Sequence, residues 1–306
     1  MIIRIKQPDP RFAEIIKRHI ESGKKEKIGL CLFGGGLNGP FQYGVELYLK
    51  DIGLLDIVDV VAGTSIGAIN GAETCKDIEG GIKVWNTIKV KDDVYKRDTS
   101  WYNILWQLTT GSDSILDPSP WYAKLKKEFD GSETLIKELI TTSTDIGDGF
   151  EVDGGLIDNA PFDILIDEGC KKIISIACFP VLKKEILKIY KGDKDIAKRI
   201  IKSSALPVLF SSINDNGKKI KIIDVMKRML PTLLNSVEDR CYEIFDLKLK
   251  IAKLEGNPIE HLEICPNEGE ITHELLDCGH VQEDMQKGYD KAKKEITPEV
   301  MEEFLK

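Results

Sequence analysis

Apolar residues follow two different spacings in the first quarter of the chain. Residues 10–20 repeat apolar positions every three or four residues, which predicts one face of a helix. The runs KIGLCLF (27–33) and IVDVVAG (57–63) are short and apolar, which predicts buried strands. PFQYGVELYLKDIG (40–53) between them has helical spacing, and SIGAINGAETC (65–75) predicts the next helix. This alternation is typical of a parallel sheet with crossover helices.

The rest of the chain continues the same alternation. Further apolar, β-branched runs predict strands at 171–179, 218–225 and, less clearly, 261–266. Helical patterns occur at 84–108, 120–129, 194–203, 231–254 and 280–294. We therefore predict an α/β fold, a three-layer sandwich with a mainly parallel central sheet flanked by helices. We expect a single domain over residues 1–306, in which 1–26 form a helical lead-in to the main fold at 27–306.

Charge and composition restrict the partners of this chain. The formal net charge of -8 over 306 residues disfavours nucleic acid as the main partner, because phosphate binding needs a concentrated positive surface. No window has the apolar length of a spanning helix or a signal peptide, so we expect a cytoplasmic protein. Residues 181–202 hold eight basic and three acidic side chains, which suits transient contact with a membrane surface or simply a solvated surface.

The metal-binding residue types show no recognisable pattern. The seven cysteines are widely spaced without a C-x-x-C pair, which favours reduced, mostly buried thiols over zinc or a disulfide framework. There is no calcium loop of the D-x-D-x-D-G kind. We therefore expect neither a metal nor another cofactor.

One serine lies in a sharp turn between the second strand and the helix after it. The string GTSIG places Ser65 between Gly63 and Gly67, at the position that a nucleophile elbow requires. Glycines suit such a turn because it leaves no room for Cβ atoms. The amide of Ile66 would lie beside the hydroxyl, at the positive end of the helix. The simpler interpretation is a strand-to-helix turn with a serine N-cap.

The glycine loop FGGGLNG after the first strand has two interpretations. Gly34, Gly36 and Gly39 satisfy G-x-G-x-x-G, the pattern of a dinucleotide-binding loop. Dinucleotide binding also requires a carboxylate at the end of the second strand, to bind the ribose hydroxyls, whereas Asp59 lies near the start of this strand. Alternatively, free amides of Gly35 and Gly36 form an oxyanion hole facing Ser65.

Three motifs together resemble the patatin-like phospholipases: FGGGLNG, GTSIG about 28 residues later, and VDGGLIDNAP. The similarity extends from about residue 27 to LLDCGHVQEDMQKGYDKAKKEI near the C-terminus. It implies a lipid acyl hydrolase of the phospholipase A or lysophospholipase type, with a Ser-Asp dyad and an acyl-enzyme intermediate. By motif, Ser65 is the nucleophile, Asp153 the base, Gly34 to Gly36 the oxyanion loop, and Gly154 and Gly155 support the base.

The sequence departs from the family pattern at two places. Asn38 stands where the family loop usually carries an arginine or lysine, so a role for that cation in holding a lipid phosphate is in doubt. SSALPVLF (203–210) follows the D-G-G motif instead of preceding it, which suggests a rearranged strand order and makes Asp224 a competing base. We favour Asp153, because it keeps the glycine pair and the DNAP sequence that would hold the loop.

Other assignments remain open. A Ser-His-Asp triad could use His261 or His273 by chain order, although nothing around either residue marks a catalytic loop. An NAD(P)-binding oxidoreductase would use the Gly34–Gly39 loop, and a catalytically silent lipid-binding protein would use neither motif for chemistry. Trp101, Trp106 and Trp121 are candidates for a lid or acyl-chain wall, with core packing as the more frequent use of such residues.

Overall fold

The computed structural model describes residues 2–23, 26–90, 93–94, 119–129, 134–145, 151–180, 222–267, 269–271 and 277–306. Its first elements are helix α1 (Pro10–Glu21), strand β1 (Lys27–Leu32), helix α2 (Gly39–Asp51), strand β2 (Val60–Thr64) and helix α3 (Ile66–Asn86). Short 3-10 turns at Gly36–Asn38 and Leu54–Ile57 precede and follow α2. These bounds confirm the predicted strand-helix-strand-helix order. Asp9 begins α1 by accepting a hydrogen bond from the Arg11 amide, as a helix N-cap does.

The middle and the end of the chain complete the sheet and its covering helices. The elements are α4 (Ser119–Glu128), β3 (Glu138–Asp145), β4 (Glu151–Asp153), α5 (Phe162–Asp167), β5 (Cys170–Ile176), α6 (Ile222–Leu254), β6 (Glu260–Ile264), α7 (Val281–Glu295) and α8 (Pro298–Leu305). A 3-10 turn at Gly154–Leu156 directly follows β4. None of the helices in these described ranges is both long and apolar enough to cross a membrane.

The six strands form one sheet in the order β4-β3-β2-β1-β5-β6. All neighbours are parallel except β4, which runs antiparallel to β3 at one edge. Leu32 at the end of β1 lies opposite Gly63 of β2 and Ile176 of β5. The loops that follow β1 and β2 therefore leave the same edge of the sheet side by side, where α/β proteins place their ligand sites.

Alternate residues of the strands point into two separate cores. Leu30 and Leu32 of β1 are buried in a core with α2 and α7, whereas Cys31 lies in a second core with α5 and Phe245 of α6. Side chains of a strand alternate between its faces, so one sheet is covered by helices on both sides. The predicted three-layer α/β sandwich with a mainly parallel sheet is confirmed.

The predicted strand at 218–225 is wrong where the structure describes it. Residues 222–225 open α6, a helix of 33 residues. Short apolar runs do not distinguish a buried strand from the start of a buried helix, and here the helical spacing of the following residues decides. The predicted helix at 84–108 is not continuous, because α3 stops at Asn86 and residues 87–90 are not helical; residues 95–108 lie outside the described part of the chain. The predicted helix at 194–203 lies outside the described residues.

The sequence pattern did not predict β3 and β4. ELITTSTD of β3 is rich in threonine and lacks a continuous apolar run, because the strand lies near an edge of the sheet and is only partly buried. β4 has three residues and is held by its pairing with β3. Both strands matter for the site, since they place the D-G-G motif.

Candidate active site

Ser65 lies in a strained turn at the end of β2. Its backbone has φ 53° and ψ -120°, and it is the one non-glycine residue with positive φ among those the structure describes. The side chain occupies the N-cap position of α3 without making a capping hydrogen bond. The simpler interpretation of this serine as a helix cap therefore fails. Strained dihedrals of this kind cluster at active sites, where they aim a side chain away from the backbone.

Close packing explains the glycine at position 67. A Cβ atom there would lie 2.3 Å from the carbonyl oxygen of Leu32, and real Cβ atoms do not approach backbone that closely. At Gly63 a Cβ would lie 2.5 Å from the Gly67 carbonyl oxygen. The first turn of α3 thus rests directly on the end of β1, which brings Ser65 to the glycine loop.

The glycine loop lies against Ser65. A Cβ added at Gly34 would lie 3.4 Å from the Cβ of Ser65. The amide of Gly34 donates to the carbonyl oxygen of Asn159, at 3.1 Å, so this amide is engaged within the protein. The amides of Gly35 and Gly36 donate to no acceptor in the described part of the chain. The amide of Ile66, in the first turn of α3, likewise has no acceptor within its own helix.

Asn159, in the DNAP sequence, holds the first glycine of the glycine loop. Besides accepting from the Gly34 amide, it donates through Nδ2 to the Gly34 carbonyl oxygen at 3.3 Å. The same Nδ2 donates to Glu238 of α6 at 3.1 Å. Gly34 is thus bonded through both of its backbone groups to one residue.

Two further amide side chains anchor the ends of the loop. Nε2 of Gln42 donates to the carbonyl oxygens of Phe33, at 3.2 Å, and Ile176, at 2.9 Å. Nδ2 of Asn70 donates to the Gly39 carbonyl oxygen at 3.0 Å and to Oε1 of Gln42 at 2.9 Å. All three amide residues, Gln42, Asn70 and Asn159, are almost fully buried. Buried polar groups with several partners rigidify the backbone they contact, so the loop is preorganised.

The structure brings Asp153 to the same edge of the sheet as Ser65. Asp153 pairs with Ser143 of β3, and Thr142 of β3 pairs with Thr64 of β2. The hydroxyls of Thr64 and Thr142 are hydrogen-bonded at 2.7 Å. Two strand spacings separate β4 from β2, or about 10 Å between backbones.

The carboxylate of Asp153 is exposed and partly engaged. Its Oδ1 accepts from the Gly155 amide at 2.8 Å, and it makes no hydrogen bond to the Ser65 hydroxyl. Gly154 packs against Thr142, since a Cβ there would lie 2.2 Å from Oγ1 of that threonine. The D-G-G glycines therefore seat the acid beside β3, with its second oxygen left for another donor.

The competing acid and one candidate histidine belong to other elements of the fold. Asp224 lies in the first turn of α6. His261 of β6 is half-buried and contacts the hydroxyl of Ser175, with 2.8 Å between Nε2 and Oγ, and burial lowers its pKa to about 4. Its partner Ser175 is fully buried. His273 lies outside the described residues.

The structure describes Asn38 and one of the three candidate lid tryptophans. Asn38 is buried, and its Oδ1 has no hydrogen-bond partner in the described part of the chain. Trp121 packs against the ring of Trp85 with 5.9 Å between centroids, as core packing would require. Trp101 and Trp106, and the basic segment 181–202, lie outside the described residues.

Asp59 has a structural role at the far end of the sheet, where its carboxylate accepts from the Ile28 amide at 2.8 Å. It therefore does not supply the acid that a dinucleotide loop needs at the end of the second strand. Among the residues that the structure describes, no three His, Cys, Asp or Glu side chains group as metal ligands would.

A strained serine turn with a preorganised glycine loop beside it lies at one edge of a mainly parallel sheet, in an α/β fold of the class that the sequence predicted. Residues 30–144 match the family model of the Patatin-like phospholipase family, and the predicted resemblance to that family is confirmed for this region. The matched region holds the glycine loop and GTSIG, while Asp153 lies beyond its end.

One curated relative is similar to a shorter part of the chain. Lysophospholipase nte1 of Aspergillus terreus is 44% identical over 52 residues, which are 17% of this chain and 3% of that relative. The chain thus corresponds to a small part of the relative's length.

Sequence reasoning did not single out several residues that shape the site. Gln42 and Asn70 stand among apolar residues of predicted helices, and a polar residue on a buried helical face is a signal for a role in hydrogen bonding. Glu238 of α6 gives no such signal, because the charged residues Asp239 and Arg240 follow it directly in the chain. Its position next to Asn159 follows from the tertiary fold.

Proposed function

We propose that the chain is a lipid acyl hydrolase that cleaves fatty-acyl esters of phospholipids or lysophospholipids, with Ser65 as nucleophile and Asp153 as base. The observation that carries the proposal is the conformation of Ser65. Its strained backbone, at the start of α3 and against the glycine loop, suits a hydroxyl presented to a substrate rather than a helix cap. The match to the patatin-like family supports the substrate class.

The reaction divides into two steps. The Ser65 oxygen attacks the ester carbonyl while its proton passes to the Asp153 carboxylate, and the amides of Gly35, Gly36 and Ile66 bind the developing oxyanion. The alcohol leaves with that proton, and the acyl group stays on Ser65. Water then attacks the acyl-enzyme and gives a proton to Asp153, which passes it to the leaving serine oxygen, so that the fatty acid and the free serine hydroxyl are released.

Asp153 must approach Ser65 for this proton transfer. One oxygen is held by the Gly155 amide, and the other is left to accept the serine proton. Catalytic hydrogen bonds are often long in an unliganded protein and shorten when substrate binds. We expect the contact between Asp153 and Ser65 to form in the complex with an acyl ester.

The first experiment measures hydrolysis of a p-nitrophenyl acyl ester and release of fatty acid from a lysophospholipid. We expect Ser65→Ala to abolish both activities with unchanged circular dichroism, and a fluorophosphonate probe to label the unaltered chain but not this variant. Turnover by well-folded Ser65→Ala would refute the assignment. An unaltered chain that neither reacts with the probe nor hydrolyses either ester would instead indicate a catalytically silent lipid-binding protein.

A second comparison identifies the base. Asp153→Asn and Asp224→Asn make the same chemical change at the two competing acids. We expect the first to lose at least about a hundredfold in kcat, as general-base removal does, and the second to retain activity. The opposite result would assign the role to Asp224. Alanine variants of His261 and His273 should both remain active, because the proposed dyad contains no histidine.

A further inference from the structure

Glu238 of α6 is buried next to Asn159, the residue that holds Gly34. Its side chain is 4% exposed, and its Oε2 accepts from Nδ2 of Asn159 at 3.1 Å. α6 covers one face of the sheet, where Phe245, seven residues further along, lies in the second core. The long helix thus reaches the Ser65 edge of the sheet through this carboxyl group.

Asn159 links the carboxyl group to the loop. Its side-chain amide has two N–H donors, and both are used: one on the Gly34 carbonyl oxygen and one on Glu238. The backbone carbonyl oxygen of Asn159 accepts the Gly34 amide. Since the Gly34 carbonyl oxygen is bonded to Nδ2 of Asn159, a rotation of this side chain breaks that bond or moves the loop with it.

The side-chain oxygen of Asn159 packs closely against Gly34 and has no hydrogen-bond partner in the described part of the chain, so the two N–H donors alone orient the amide. A Cβ at Gly34 would lie only 2.2 Å from Oδ1 of Asn159 and 3.4 Å from the Cβ of Ser65. A carboxyl acceptor for the second N–H therefore selects one orientation of the amide. Burial raises the pKa of Glu238 to about 8, so near neutral pH it accepts this hydrogen bond mainly as a neutral acid.

We infer that Glu238 is a positioning residue, which fixes the orientation of the Asn159 side chain and thereby aims the amides of Gly35 and Gly36 at the oxyanion. This inference rests on the proposed function, because it assigns a role within the same reaction. Oxyanion donors act in the transition state, so misplacing them lowers kcat and leaves KM nearly unchanged.

Two substitutions of Glu238 separate this role from a role in folding alone. Glu238→Gln keeps an oxygen that accepts from Asn159, whereas Glu238→Leu keeps similar volume without an acceptor. We expect Glu238→Leu to lower kcat about tenfold at unchanged KM and Glu238→Gln to restore most of it. Glu243→Leu is the matched control, since it makes the same change at an exposed position of the same helix.

A double-mutant cycle tests whether Glu238 acts through Asn159. If it does, Glu238→Leu should change kcat by less than about twofold in an Asn159→Ala background. Equal effects in both backgrounds would overturn the inference, as would full activity of Glu238→Leu in the otherwise unaltered chain. If Asn159→Ala does not fold, the kcat and KM of the Leu and Gln variants decide.

Hydrogen exchange of residues 33–38, followed by mass spectrometry, separates this inference from the proposed function. We expect faster exchange in Glu238→Leu than in Glu238→Gln or Glu243→Leu. An unaltered chain without esterase activity, but with this exchange pattern, would refute the function and keep the link between Glu238 and the loop. An active chain with identical exchange and kcat in all three variants would refute the inference alone.

Discussion

The backbone of Ser65 predicts that the site is less stable than it would be with glycine. Its φ of 53° lies in a region that costs a residue with a Cβ atom about 1–3 kcal/mol. Ser65→Ala keeps the Cβ and therefore the strain, whereas Ser65→Gly removes both. Glycine also makes the unfolded chain more flexible, which offsets about 0.4–1 kcal/mol of the gain. We expect Ser65→Gly to exceed Ser65→Ala by about 1 kcal/mol in free energy of unfolding.

Urea unfolding followed by circular dichroism measures this difference. Both variants lack the hydroxyl, so neither catalysis nor a lost hydrogen bond of the serine enters the comparison. Gly169→Ala is the control of opposite sign, because Gly169 has φ 81° and no atom within 4 Å of an added Cβ. We expect it to lose about 1 kcal/mol through backbone strain alone. A Ser65→Gly variant no more stable than Ser65→Ala, beside a destabilised Gly169→Ala, would refute the strained elbow.

Two further predictions concern the loop and a buried acid. Gly34→Ala should lower kcat for ester hydrolysis by about 10²–10³, because its Cβ would lie 2.2 Å from Oδ1 of Asn159 and displace the loop. Gly80→Ala is the control: its Cβ would lie 3.4 Å from the nearest atom, so this variant should remain fully active in the same assay. Burial raises the pKa of Glu46 to about 8, against 4.5 for the free group, although Thr74 donates to it. Between pH 4.5 and pH 8, Glu46 is therefore protonated in the folded chain and ionised in the unfolded chain. The free energy of unfolding should fall as pH rises through this range, by at most about 1.4 kcal/mol per pH unit from this group. Glu46→Gln should lack this contribution in urea unfolding at pH 6, 7 and 8, and parallel curves for the two proteins would contradict the assignment.

The local parts of the site could be predicted from the sequence. A short apolar strand, the string GTSIG and a helical pattern are contiguous in the chain, so their geometry follows from local sterics and hydrophobic spacing. The strand, glycine-loop and helix order around Gly34 is predictable for the same reason. The apolar strand cores fixed the α/β class, because each strand had to be buried on both faces.

The sequence also misled in places where local pattern and tertiary environment disagree. The run at 218–225 has the residues of a strand, but the part that the structure describes is the start of α6. β3 was missed because a strand near the edge of a sheet accepts threonine and serine where a central strand takes valine and isoleucine. Both errors arise because the secondary structure of these segments depends on residues that are close in space but distant in the chain, which a local sequence pattern does not include.

By itself, the sequence determined that Ser65 lies in a tight turn between a strand and a helix, with a glycine loop after the neighbouring strand. The tertiary structure decided which residues meet there: Asn159 on Gly34, Glu238 on Asn159, and Asp153 two strands away from the serine turn. The physical reason is the range of the forces involved. Turn geometry and hydrophobic spacing act between residues close in the chain, whereas these hydrogen bonds join residues about 80 to 125 positions apart, and the packing of helices and loops against the sheet sets them.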